Sequence, residues 1–228
     1  MERFGAVYLN HVTRYNDIGA KTKVTNISET SKLWQHPWQL SHRVHLHDAL
    51  KQAAICEHGT GKPAILHTSS RVTNVDTERA TITLEDGQTI KADVVLGADG
   101  VYSKMRTFVS GGESQIFGSG KAAFRFLVAR EKALSNPETA KFVELDGEMA
   151  VWYGSDRRVV MYPCDSNRLL NFACIHPDIE SQGGADGKVL PYPKKTAVAD
   201  CFRVEQRGVT GATIKSLCEL SSRTSYYV

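Results

Sequence analysis

The sequence predicts an α/β (α+β) chain that joins an antiparallel meander to a mixed sheet, and three observations predict it. From Ala64 to Ile90 the apolar residues recur with period two and Glu85-Asp86-Gly87 interrupts them as a turn, the pattern of short antiparallel strands. From Ala92 to Arg106 a short apolar run leads through two glycines into a helix-forming segment, which reads as strand, turn and helix. From Ala122 to His176 further strand patterns follow one another with polar turns between them.

In chain order, Ala6–Leu9 and Thr22–Ile27 read as short extended pieces on either side of Asn16-Asp17-Ile18-Gly19. Leu46, Ala49, Leu50, Ala53 and Ala54 fall at helical spacing, which predicts an amphipathic helix starting near Ser41. The meander then covers Ile65–His67, Arg71–Asp76, Ala80–Leu84 and Gln88–Ile90. Val94–Leu96 reads as a buried strand, with Gly97 and Gly100 bracketing a tight turn and Ser103 placed to cap a short helix that carries Arg106. After the break at Gly111-Gly112 come a strand at Ala122–Val128, a helix-like segment at Leu134–Phe142 and strands at Met149–Tyr153, Arg158–Pro163 and Leu169–His176. Gly154-Ser155-Asp156 and Asp165-Ser166-Asn167 are the turns between the last three. Residues 181–188 read as a loop, and Lys194–Val204 and Ala212–Leu220 as two helices.

Composition narrows the function classes. With 228 residues, 41% hydrophobic and 23% charged, the chain is of ordinary globular make-up. A net charge of +3 without a basic cluster interleaved with aromatics gives no sign of a nucleic-acid partner. No run approaches a membrane span or a signal peptide core, so no membrane partner is expected. Cys56, Cys164, Cys174, Cys201 and Cys218 are odd in number and lack CxxC spacing, which reads as reduced thiols in a cytoplasmic protein. His42, His45 and His47 do not share one helix face and have no acidic or thiol partner at ligand spacing in the sequence. They read as polar helix-start residues, with no metal expected. Gly59-Thr60-Gly61-Lys62 and Gly118-Ser119-Gly120-Lys121 lack the remaining residues of a phosphate loop and read as turns.

The chemistry concentrates at two places. At a strand tip Asp99 is an anionic acceptor suited to a ribose hydroxyl or a carboxamide, Gly100 permits close backbone approach, and Arg106 is placed to neutralise the carboxylate. Arg43 at a helix start suits phosphate or ribose oxygens. Arg125 interrupts an apolar strand, and a charge there is costly unless it is paired or bound to a ligand. The plain alternative pairs it with Glu144 or Glu148.

The string Gly97-Ala98-Asp99-Gly100-x-x-Ser103-x-Met105-Arg106 resembles the second fingerprint, or DG motif, of flavin-dependent aromatic hydroxylases, with Met105 where valine is usual. His42-Arg43-x-x-Leu46-x-x-x-Leu50 is similar to a second segment of that family. Val151–Pro163 and Leu170–Pro177 resemble its salicylate-hydroxylase-like members. The resemblance implies the fold of p-hydroxybenzoate hydroxylase. Residues 1–110 would form a partial FAD-binding domain, 111–182 the sheet of a substrate domain, and 183–228 helices returning toward the FAD domain. It implies FAD as cofactor, NAD(P)H and O2 as co-substrates, and a small aromatic or phenolic substrate, with polyketide-derived phenols of secondary metabolism among the candidates. Arg43, Asp99, Gly100 and Arg106 would then serve the flavin. Arg125 would hold the substrate phenolate with Tyr162 or, as the weaker choice, Tyr153.

Residues 1–40 contain no glycine-rich strand–turn–helix for a pyrophosphate, and the family's third fingerprint, a Gly-Asp pair, is also missing. The expectation is therefore a chain shortened at both ends, with a complementing chain or a homo-oligomer as further partner. The alternative is a catalytically inactive remnant or interaction module that no longer holds FAD. A flavin oxidase or halogenase fits the strings less well.

Overall fold

A computed structural model describes residues 3–59, 61–112, 115–180 and 223–227, the last five as backbone only. The helices expected at 194–204 and 212–220 and the loop at 181–188 lie outside the described residues. The contacts divide the chain into two units, Met1–Gln52 with Gly120–Val228, and Ala53–Ser119.

The first unit is built on a sheet. After a 3-10 turn at Arg3–Gly5 come β1 (Val7–Tyr8), β2 (His11–Tyr15), β3 (Lys21–Asn26), the short helix α1 (Thr30–Leu33) and β4 (Gln39–Leu40). Helix α2 (Arg43–Ile55) crosses the boundary between the units. The second unit holds β5 (Val72–Asp76), β6 (Thr81–Leu84), β7 (Thr89–Lys91) and α3 (Met105–Ser110). The chain returns to the first unit with β8 (Lys121–Ala129), α4 (Arg130–Leu134), α5 (Pro137–Ala140), β9 (Glu148–Tyr153), β10 (Arg158–Cys164), β11 (Leu169–Pro177), a 3-10 turn and β12 (Arg223–Tyr227).

Seven strands form one sheet in the order β12-β8-β11-β10-β9-β2-β3. Every neighbouring pair is antiparallel except β2 with β9, which run parallel, so the sheet is mixed as the sequence predicts. The alternation in β8 sorts its two faces. Ala122, Phe124, Phe126 and Val128 are buried, while Ala123, Arg125, Leu127 and Ala129 are half-buried on the other side. Phe126 and Phe172 are direct cross-strand partners with rings stacked at 4.7 Å. Tyr15 stacks on its own partner Trp152 at 5.0 Å, and Phe142 meets both edge-on. These rings, with Val128, Met161 and Leu170, fill one face as the core. Burying each such ring is worth roughly 1.5–3 kcal/mol. The opposite face carries Arg125, Asn171 and Tyr162, and it is the face that becomes chemically interesting.

Several expectations are corrected at the level of single elements. Val94–Leu96 is neither a strand nor buried: Val94 is 69% and Leu96 86% exposed. An isolated extended segment has no ladder to join, and β5, β6 and β7 pair only with one another among the described residues. Ile65–His67 is irregular for the same reason. The segment Leu134–Phe142 is divided by Pro137, which opens α5 behind the cap Asn136, whose side chain accepts from the Glu138 N–H at 2.9 Å. β2 was not anticipated, and its parallel pairing with β9, His11 with Glu148 through Tyr15 with Trp152, unites the chain start with the large sheet. The helix at Ser41 forms as expected, but none of its residues is buried.

Candidate functional site

Two places gather the residues singled out in the sequence, one in each unit.

In the second unit an open depression of about 400 Å³ is lined by Gly97, Asp99, Gly100, Ser103, Met105 and Arg106. Asp99 organises it. Its Oδ1 accepts from the Ser103 hydroxyl at 2.6 Å, and its Oδ2 accepts from the N–H groups of Lys104 and Met105 at 2.7 and 3.2 Å. The Ser103 hydroxyl oxygen in turn accepts from the Arg106 N–H at 3.1 Å. Three of the donors left over at the start of α3 are thus satisfied by two side chains, which is why a six-residue helix holds here. The Ser103 hydrogen bond is the largest cause keeping the Asp99 carboxyl below its usual range, with the backbone donors adding to it. A Cβ on Gly97 would come within 2.7 Å of the Met105 Cβ, so the loop passes the helix start only as glycine. Gly100 has φ +81°, and nothing lies within 4 Å of the position a Cβ would take.

The role expected of Arg106 is corrected. Its guanidinium donates to the Val101 carbonyl at 3.2 Å instead of returning to Asp99, because serine and backbone amides already surround that carboxylate. A carboxylate offers about four acceptor positions. Three are used by these donors, and the backbone N–H of Asp99 itself adds to them.

In the first unit a cavity of about 460 Å³ lies against the half-buried face of the sheet. Arg125 enters it from β8, Asn171 from β11 and Tyr162 from β10, while His42 and Arg43 close it from the start of α2. The register explains the meeting. Asn171 is the cross-strand partner of both Tyr162 and Leu127, and Arg125 is the partner of Ala173, one step along the same face. Among the described residues no carboxylate lines it, so the two guanidiniums and the positive end of α2 make it a place for an anion. Burial pushes the Tyr162 phenol above its usual range, and the Arg125 charge partly opposes that shift. Burial also lowers His42, aided by His45 and Arg43 and opposed by Asp165, so its imidazole is neutral at pH 7.

The sequence left Tyr162 and Tyr153 as alternatives. The structure places Tyr162 in the cavity with Arg125. Tyr153 ends β9 opposite Arg158, which stands four residues from Tyr162 on β10; the Arg158 guanidinium lies 5.5 Å from the Tyr153 ring, and Tyr153 is outside the lining. Glu148 faces the core and accepts from the Thr13 hydroxyl, while the Glu144 carbonyl accepts from Arg130. Arg125 forms an ion pair with neither. Among the three histidines, His42 packs edge-on against His45, His45 pairs with Asp165 at 3.1 Å and His47 with Asp48 at 3.5 Å. Among the described residues no cluster of three or more metal-ligating side chains occurs, and no helix is long and apolar enough to cross a membrane. Asn171 was not singled out in the sequence. The available signal was a lone amide in the otherwise apolar run Leu169–Ala173.

No family model matches the chain. Single relatives do. Hispidin-3-hydroxylase of Neonothopanus nambi is 30% identical over 198 residues, covering 82% of this chain and 46% of that protein. The FAD-dependent monooxygenase phomE' of Diaporthe leptostromiformis is 34% identical over 169 residues, 72% of this chain and 42% of that protein. The chain is homologous to part of these FAD-dependent monooxygenases. It spans under half the length of these curated relatives. The crystal structure of FqzB superposes with a TM-score of 0.70 at 19% identity, over 95% of this chain and 47% of that one, and so shares the fold. This similarity agrees with the resemblance carried by the 97–106 and 42–50 strings. Those two strings now fall on the depression around Asp99 and on the helix start that closes the cavity.

Proposed function

We propose that the protein is a cytoplasmic FAD-dependent monooxygenase that hydroxylates a phenolic aromatic substrate, using NAD(P)H and O2. The observation that carries this reading is the cationic cavity on the open face of the sheet, where Arg125, Tyr162 and Asn171 converge with no carboxylate among the described lining residues. Asp99 and Gly100 fit the nucleotide part of a flavin: the exposed Asp99 carboxylate is an acceptor for a ribose hydroxyl, and the space beside Gly100 lets a ligand approach the backbone. Arg43 would serve the same group, and Arg106 would hold the loop through Val101. Bound FAD would supply two-electron chemistry with NAD(P)H and the activation of O2 for transfer of one oxygen atom to a ring carbon.

The chain's own residues would act on the substrate. An ionised phenol is a better carbon nucleophile than a neutral one, so a fixed guanidinium beside its oxygen lowers the barrier by favouring that charge where it is needed. Arg125 would hold the oxyanion. Tyr162, kept protonated by burial, would donate its O–H to the same oxygen. The half-buried walls would exclude water from the reacting ring. In this reading the substrate sheet has its four central strands, β8 to β11, within residues 111–182 and is completed by β2, β3 and β12.

The test is a titration of the purified protein with FAD, followed by flavin absorption and fluorescence, and then NAD(P)H oxidation with and without phenols. Uptake of FAD with phenol-stimulated oxidation is the expected result. A colourless protein that takes up no added FAD would overturn the proposal in favour of a remnant or interaction module.

A further inference from the structure

We infer that His42 is the proton acceptor of the cavity, taking the hydroxyl proton of a phenol whose oxygen Arg125 holds; this rests on the phenolate reading of that cavity. Proton balance poses the question. A phenol that enters protonated and is held as a phenolate gives up one proton, and some group has to receive it. A guanidinium has donors and no acceptor, which removes Arg43 and Arg125. Tyr162 is kept protonated by burial and is itself a donor. The other described lining residues are apolar or, at Asn171, an amide, and no carboxylate is among them. On the described wall, His42 alone can take up a proton near neutral pH.

The surroundings of the ring suit that task. His42 stands immediately before α2, and its carbonyl accepts from the Leu46 N–H at 3.1 Å, which fixes its backbone. The imidazole packs edge-on against His45 with ring centroids 4.7 Å apart, and Asp165 holds His45 in turn at 3.1 Å. Of the two ring nitrogens, Nδ1 is buried and without a hydrogen-bond partner. Nε2 is not sealed in that way, and the residue as a whole is half-buried, so Nε2 is the nitrogen that meets the ligand. The accepting form is then the tautomer with its hydrogen on Nδ1. Burial, aided by His45 and Arg43 on the same helix and opposed by Asp165 on the turn before β11, keeps the ring neutral, so the base is present at pH 7. In the transfer the phenol O–H bond breaks with its electron pair left on oxygen, and an N–H bond forms at Nε2. The nearby guanidinium of Arg43 disfavours the resulting imidazolium, which releases the proton to solvent and restores the base.

The experiment mixes the full chain with 4-nitrophenol, whose phenolate is yellow, in a stopped-flow spectrometer. It is run with and without FAD, so that neither flavin uptake nor turnover enters the readout. At about pH 6.5 much of the probe arrives protonated, and the wild type should develop the phenolate band as the probe binds. His42→Gln should develop that band at least about 10²-fold more slowly, the usual loss when a general base is removed. At about pH 9 the probe arrives ionised, and the two proteins should bind it at the same rate, which general damage to the cavity would not give. His42→Asn repeats the comparison, and nitrogen NMR of the wild-type ring, expected to find the hydrogen on Nδ1, serves if neither variant folds. Equal rates at about pH 6.5, equal slowing at both pH values, or a hydrogen on Nε2 overturns the inference. Arg125→Met separates it from the underlying reading. If that variant abolishes the bound phenolate band while His42→Gln is as fast as the wild type, the phenolate reading survives and the role of His42 falls. If the wild type shows no phenolate band on binding, or Arg125→Met leaves it unchanged, both fall.

Discussion

Tyr162 on β10 and Asn171 on β11 are direct cross-strand partners, and both side chains line the cavity that Arg125 enters from β8. Three strands that the chain lays down at different times thus bring a guanidinium, a phenol and an amide to one patch of sheet. The opposite face of the same strands is packed with Phe126, Phe172 and Met161 and anchors the patch from behind. The core therefore positions the site. A shift of any strand by one residue would turn the polar residues into the core and the rings into the cavity.

The guanidinium carries the first prediction. In the FAD-loaded protein, Arg125→Met should lower turnover of a phenolic substrate by roughly 10²–10³-fold, the usual loss when a donor to a developing oxyanion is removed. It should also raise the apparent pKa of the bound phenol by about 1–3 units, since an opposite charge beside the group favours its ionised form. The long-wavelength phenolate band of the bound ligand, followed against pH, gives that shift directly. An unchanged band would mean that Arg125 does not face the phenol oxygen.

The Asp99 cap gives a second. Because the Ser103 hydroxyl is the leading cause of the lowered Asp99 value, Ser103→Ala should move the carboxyl titration back up toward its ordinary 3.8. A carboxyl held below its unfolded value supports the fold above that value and loses the support as pH falls through the folded one. The start of α3 should therefore loosen at a higher pH in Ser103→Ala than in the wild type. Carbon-detected NMR of the carboxyl group, read beside the Lys104 and Met105 amides, reports both events. Coincident titrations in the two proteins would refute this account.

A third prediction concerns Gly147. It has φ +67°, and a Cβ there would run into the Tyr8 carbonyl oxygen and the Asn10 side chain. Its own carbonyl accepts from the Asn10 and His11 N–H groups at the entry to β2. Gly147→Ala should therefore cost roughly 2–5 kcal/mol, from the left-handed backbone together with a clash against immobile main chain. Gly100→Ala meets nothing within 4 Å, so only the backbone penalty of about 1–2 kcal/mol applies. Urea unfolding of the two variants ranks them, and the reverse order would contradict the packing of residues 8–10 on Gly147.

The fourth is a pH dependence. Burial, aided by the Glu148 charge, pushes the Tyr15 phenol from its ordinary 10.0 up to about 12. A group raised in the fold supports stability below its unfolded value and loses that support as pH rises toward the folded one. Stability should thus decline between about pH 10 and 12, and Tyr15→Phe should remove that part of the slope. Absorbance at the tyrosinate band together with unfolding at each pH tests it. An identical slope in the phenylalanine variant would rule out Tyr15 as the source.

The sequence by itself determined the elements whose signal is local. The apolar runs at Ala122–Val128 and Leu169–His176 are a property of near neighbours, so the existence of β8 and β11 was legible before any coordinates, whereas which of their faces is buried was not. The glycine and serine positions around Asp99 were legible too, because a turn and a helix start impose their own residue types. Arg125 could be marked as anomalous for the same reason, being one charge in an apolar strand. Only the tertiary structure decided what depends on distant partners. Val94–Leu96 has a strand's composition and no ladder to join, so it stays open. β2 has little periodicity of its own and exists because β9 lies alongside it. The choice of Tyr162 over Tyr153 as the cavity's phenol, and the presence of Asn171 beside it, come from the pairing of β10 with β11. Register is set by which faces can be buried together across the whole sheet, and no window of the chain contains that information.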